Sequence, residues 1–192
     1  HDQSVHKMLP IWSHYANENW CMIGYHATSV IADAMIKNIG DFDHQRALQA
    51  SVNTASVTYF DGLGDYMDYK YVPDDKSHSS VSKTLEYAYN DWCIFQMAQK
   101  VGNKKLEERF NNRSKYYSNV YDPKIGFMRP KLSNGKLNGL YYNKKGPDSS
   151  SKSDEIFKST LLIIFAVKSV SVEAPSSKES PRIKFKLKSL TS

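Results

Sequence analysis

The residue with the clearest chemical potential is Glu86, in Leu85-Glu86-Tyr87-Ala88-Tyr89-Asn90-Asp91-Trp92. At helical spacing its neighbours are Ser82, Tyr89 and Asn90. Partial burial among aromatic rings would raise its pKa, as a general acid requires. The plainer alternative is a surface glutamate on an amphipathic helix. Asp91 points elsewhere on the same helix, and a structural salt bridge or loop anchor is its favoured reading. Asp74, Asp75 and His78 fall within five residues of one another. They could contact sugar hydroxyls, or simply cap and charge-complement the following helix. Their spacing does not match a calcium loop of alternating acids. In Glu18-Asn19-Trp20, the indole could stack on a sugar face and Glu18 could accept hydroxyl hydrogen bonds, with Asn19 as a helix N-cap the alternative. His26 and Asp33, seven apart, would share a helix face. There a satisfied core or groove histidine is favoured over a metal ligand. His1, Asp2 and His6 resemble a metal trio, but a fraying terminus is a poor metal site.

Other chemistries find no support. There is no phosphate-binding glycine loop, no Gly-x-Ser-x-Gly elbow and no His-Glu-x-x-His. Cys21 and Cys93 lack paired-cysteine metal spacing. Two apolar thiols inside helices are the favoured reading over a disulfide. Asn112-Arg113-Ser114 is a glycosylation triplet of a kind that often arises by chance.

The elements that must position these residues are helical. Periodicity predicts helices over about 19–38, 43–55, 80–101 and 103–120. The first would bury Cys21 or Met22, Tyr25, Val30, Ala34 and Ile39. Asp41 or Asp43 would cap the second, and Ser79 or Ser80 the third, which Gly102 ends. Residues 62–66 and 69–78 read as aromatic, acidic loops. Residues 1–142 hold all 13 tyrosines and all three tryptophans and are nearly charge-balanced. Residues 143–192 are Ser/Lys-rich and carry five of the six net positive charges. Residues 161–172 and 183–188 could be strands, with a linker between them, and the last stretch could equally be a disordered basic end. The longest dense apolar run, 161–167, is too short to span a bilayer. The basic tail lacks a nucleic-acid module, so no nucleic-acid partner is expected.

Several blocks together carry a family resemblance. They are Met8-Leu9-Pro10-Ile11-Trp12, Asn17 to Ala27, Val30-Ile31-Ala32-Asp33-Ala34, Tyr71-Val72-Pro73-Asp74-Asp75-Lys76, Ser80 to Cys93, and Asp122-Pro123 with Gly126-Phe127-Met128-Arg129-Pro130. In order and spacing they resemble glycoside hydrolase family 92, exo-acting α-mannosidases with a catalytic (α/α)6 barrel that need calcium and invert the anomer. The resemblance implies an all-α partial barrel over 1–142, followed by a non-homologous basic tail. It implies mannose-containing glycans as substrate and Glu86 as general acid, with Glu18 and His78 in segments that help line the pocket, beside the Trp20 indole read above as a sugar-stacking face. Asn90 stands where many relatives have aspartate. An inverting glycosidase also needs a base about 6.5–9.5 Å from its acid. The family's Gly-Asn-Asp-Asp base loop does not occur in these 192 residues. The calcium shell is expected in parts outside this chain. The sequence thus reads as a fragment, expected to be inactive alone. Sugar binding without turnover and a basic interaction protein are the alternatives. The resemblance implies an extracellular, periplasmic or secreted location.

Overall fold

The computed structural model describes residues 2–15 and 17–138. The expected strands and linker beyond residue 142 lie outside these. The described part is helical: α1 (Asp2–His6), α2 (Ala27–Lys37), α3 (His44–Thr54), α4 (Leu63–Tyr69), α5 (Ser80–Val101) and α6 (Lys104–Arg113). A 3-10 turn follows at Tyr116–Val120. Two antiparallel pairs of two-residue strands complete it, β1 (Ser13–His14) with β2 (Asn17–Glu18) and β3 (Tyr121–Asp122) with β4 (Phe127–Met128). Among the described residues no helix is long and apolar enough to cross a membrane.

The architecture is organised around α5, which packs against α2, α3, α6 and the 3-10 turn. Because neighbours surround it, α5 buries residues on nearly every side, including Lys83, Tyr87, Asn90, Asp91, Ile94 and Met97. It starts and stops where the sequence predicts, but its cap differs. Ser79 is left-handed and makes no side-chain cap, while Asp74 accepts from Ser80 Oγ at 2.9 Å. At the other end Gly102 adopts φ 77° and its N–H closes onto the last-turn carbonyls. α3 also follows the sequence, with Asp43 accepting from Arg46 N–H at 3.0 Å.

Several expectations are corrected. The first helix does not begin near Asn19, since Trp20 (φ 59°) and Gly24 (φ 87°) hold residues 19–26 in a loop. Its buried positions are Thr28, Ala32 and Met35, whereas Val30 and Ile39 are exposed. His26 leads into α2 with right-handed helical backbone, and two turns on Asp33 pairs with Lys37 at 2.8 Å. The fourth helix ends at Arg113, and Ser114 turns the chain into the 3-10 segment. Finally, residues 63–69 are helix α4, not loop. Gly64 permits it, because a Cβ there would sit 2.9 Å from the Thr58 carbonyl oxygen. Both cysteines are free thiols, and Cys21 is exposed in the loop instead of packed in a helix.

Candidate active site around Glu86

Glu86 lies on the second turn of α5, with its side chain 23 % exposed. Burial pushes its carboxyl above the ordinary glutamate value, and nearby His26 only partly opposes that. His26 Nε2 lies 3.7 Å from Glu86 Oε2. The loop before α2 is shaped to deliver this ring. A Cβ on Gly24 would stand 2.6 Å from His26 Nε2, so only glycine leaves room. On its other side the ring meets Asn90, whose Nδ2 is 3.3 Å from Nδ1. Asn90 is itself buried and accepts Tyr25 N–H at 2.8 Å.

One turn before Glu86, Lys83 is fully buried, its ammonium held by Asp61 at 2.6 Å and Ser77 at 2.8 Å. Tyr87 donates to the Asp61 carbonyl at 2.8 Å. Lys83, Glu86, Tyr87 and Asn90 thus form one polar face of α5 at three- and four-residue spacing. Sequence reasoning missed Lys83. The only available signal was a lysine within the densest aromatic helix, and lysines on helices are ordinarily solvated.

The other candidates are placed as follows. Asp91 is fully buried and accepts from Tyr25 Oη at 2.6 Å, Tyr66 Oη at 3.1 Å and Arg113 Nε at 2.9 Å. It is a structural anchor joining α5 to α4, α6 and the loop before α2. Glu18 is buried and binds four backbone donors: Ile11, Trp12 at 3.0 Å, Asn19 at 2.9 Å and Trp20 at 2.8 Å. Burial raises its proton affinity, but those four N–H groups outweigh it and hold the carboxyl below the usual glutamate value. With its acceptor positions taken, Glu18 orders the loop that presents Trp12 and Trp20. Asn19, expected as a helix N-cap, instead accepts Cys21 N–H within this loop.

Trp20 is half-exposed and packs among His6, Tyr59 and Phe60. His78 is exposed in the turn before α5. Asp74 accepts from Ser80 and from Asn138 Nδ2 at 2.7 Å, and Asp75 accepts from Ser133 N–H and Oγ. The acidic pair therefore fastens the 130s segment to the start of α5. The glycosylation triplet ends α6, with Arg113 and Ser114 buried.

Among the described residues no group of three or more His, Cys, Asp or Glu gathers to hold a metal ion. The carboxylates of Glu18, Asp74, Asp75 and Asp91 are already committed to protein donors. This part of the chain does not fit a calcium shell. What it can do is hold a carboxylic acid, a quarter exposed and with raised proton affinity, against an imidazole.

This chain is similar to three proteins of known description. An α-mannosidase of family 92 from Bacteroides thetaiotaomicron, solved in complex with mannoimidazole, is 48 % identical with a TM-score of 0.70. The match covers 73 % of this chain and 18 % of that one. An inverting mannosidase of the same family and species is 30 % identical with a TM-score of 0.65, over 70 % of this chain and 19 % of that one. A protein of Arthroderma benhamiae described as an uncharacterized secreted glycosidase is 32 % identical over 140 residues, 58 % of this chain and 18 % of its own length. This chain spans less than a fifth of the length of each. The mostly helical fold agrees with part of an (α/α)6 barrel. The model of the glycosyl hydrolase family 92 catalytic domain matches residues 1–167, beyond the compositional boundary at 142, and the chain belongs to that family.

Proposed function

We propose that this chain is the proton-donor segment of a calcium-dependent, inverting exo-α-mannosidase, with Glu86 as its general acid. The observation that carries the reading is Glu86 itself. It is partly buried on the central helix, with a raised pKa and a histidine 3.7 Å away. A neutral carboxylic acid there can protonate the leaving glycosidic oxygen as the bond breaks. Trp20 offers an indole face to the sugar, His78 a second polar contact, and Glu18 holds the Trp20 loop. The base and the calcium ligands come from parts of the enzyme outside this chain, so the chain alone releases no mannose. The substrates are glycans with terminal α-linked mannose. A location outside the cytoplasm follows the secreted fungal relative.

A chimera tests this. Residues 1–138 replace the corresponding segment of the Bacteroides α-mannosidase, which is 48 % identical. The chimera should release mannose, and Glu86→Gln within it should lower turnover by about 10²–10⁴-fold. A folded Glu86→Gln chimera as active as its parent would overturn the assignment.

Sugar binding without turnover is a second reading, favoured by Trp12 and Trp20, 51 % and 42 % exposed. Titration of the chain with mannobiose should then show millimolar binding, and absence of heat at those concentrations refutes it.

A further inference from the structure

The Tyr25 backbone N–H, buried, donates to Asn90 Oδ1 at 2.8 Å. That bond decides which end of the Asn90 amide is oxygen, because reversing it would set an N–H against the NH2 group. The amino group, Nδ2, therefore faces His26 Nδ1 at 3.3 Å. An amino group can only donate, so Nδ1 must carry a lone pair. In the neutral ring the proton then resides on Nε2, and Nε2 is the atom 3.7 Å from Glu86 Oε2. We infer that Asn90 is a positioning residue that fixes His26 as its Nε2–H tautomer, with that N–H aimed at Glu86.

The consequence reaches the acid, and it rests on the reading of Glu86 as proton donor. A second proton on His26 would have to enter at Nδ1, where it meets the Asn90 amino hydrogens. A neutral N–H donor stabilises the Glu86 carboxylate far less than a full positive charge would, so Glu86 retains its proton more readily. Gly24 completes the device, since any side chain there would displace the ring. The Asn90 amide, with its acceptor end tied to Tyr25 and its donor end to His26, spans the loop before α2 and the third turn of α5. Among the described residues, Tyr89 and Cys93 on α5 and Asp33 on α2 are further titratable groups on this side of the helix.

The test reads protonation, not turnover. Imidazole ¹⁵N–¹H correlation spectra of the full chain, labelled at histidine and assigned with His26→Gln, should show His26 as the Nε2–H tautomer at neutral pH. The near-isosteric Asn90→Asp keeps an acceptor for Tyr25 N–H but presents an acceptor to Nδ1. It should convert His26 to the Nδ1-protonated or doubly protonated ring. It should also shift the ¹³C titration midpoint of the Glu86 carboxyl, downward where His26 becomes doubly protonated and upward where an Nδ1–H ring leaves an Nε2 lone pair facing Glu86. An Nδ1–H tautomer in the parent chain overturns the inference, even if the variant fails to fold. So does an Asn90→Asp protein in which neither His26 nor Glu86 changes. Neither result bears on whether Glu86 donates a proton to a glycoside, which the chimera decides separately.

Discussion

Asp91→Ala should be the most damaging single truncation in the described fold. Asp91 is fully buried and receives Tyr25 Oη, Tyr66 Oη and Arg113 Nε. Arg113 carries the link onward, donating Nη1 to the Ala55 carbonyl at 3.0 Å at the end of α3. Its Nη2 has no hydrogen-bond partner, so the guanidinium has nothing in reserve. Removing one member of a buried ion pair costs about 3–5 kcal/mol, because the survivor stays buried and uncompensated. The two tyrosine hydroxyls lose charge-assisted bonds but keep the Tyr87 and Arg113 carbonyls as acceptors, at 3.3 and 3.1 Å, which offsets most of that loss. An overall loss of about 4 kcal/mol is a large share of the ~5–15 kcal/mol typical of a domain. With a urea m-value of about 2 kcal/mol/M, the midpoint should fall by about 2 M. Circular dichroism during urea titration of the full chain measures it. Asp91→Ala with Arg113→Met should recover at least about 1 kcal/mol relative to the sum of the single changes, since no charge is then stranded. A single variant within 1 kcal/mol of the parent, or strictly additive losses, would refute the view of Asp91 as the anchor.

Gly64→Ala should destabilise by about 1–3 kcal/mol, since its Cβ would meet the Thr58 carbonyl at 2.9 Å; the urea midpoint checks it. Glu18 predicts an acid limb. Its folded pKa lies below its unfolded value, so its contribution is present above the unfolded value, about pH 4.3, and is lost as pH falls through the folded one. Glu18→Gln should lower stability at neutral pH and flatten that limb, which denaturation between pH 3 and 7 would measure.

The parts of this fold legible in the sequence are those governed by local rules. Asp43 and Gly102 mark helix ends through capping chemistry that acts within a few residues. Glu86 stood out because its immediate neighbours are aromatic. What stayed hidden depends on distant chain. Gly62 and Gly64 read as loop, yet α4 begins there because Thr58 lies against it. Trp20 and Gly24 interrupt an otherwise plausible helical run by adopting left-handed backbone, which no apolar spacing reveals. α5 is enclosed on nearly every side, so a single apolar stripe through Leu85 and Ala88 describes only part of its buried surface. Lys83 and Asp91 are invisible as core residues until Asp61 and Arg113 are seen to meet them. The His26–Glu86 approach joins residues sixty positions apart and exists only in three dimensions.

The central claim is that Glu86 supplies a proton to a departing oxygen, and leaving-group dependence tests it most directly. In the active chimera, Glu86→Gln should depress hydrolysis of a mannobioside, whose alkoxide leaves poorly, by about 10²–10⁴-fold. Hydrolysis of a dinitrophenyl mannoside, whose phenolate needs no proton, should fall far less. Equal losses on both substrates, or none on either, would contradict the account.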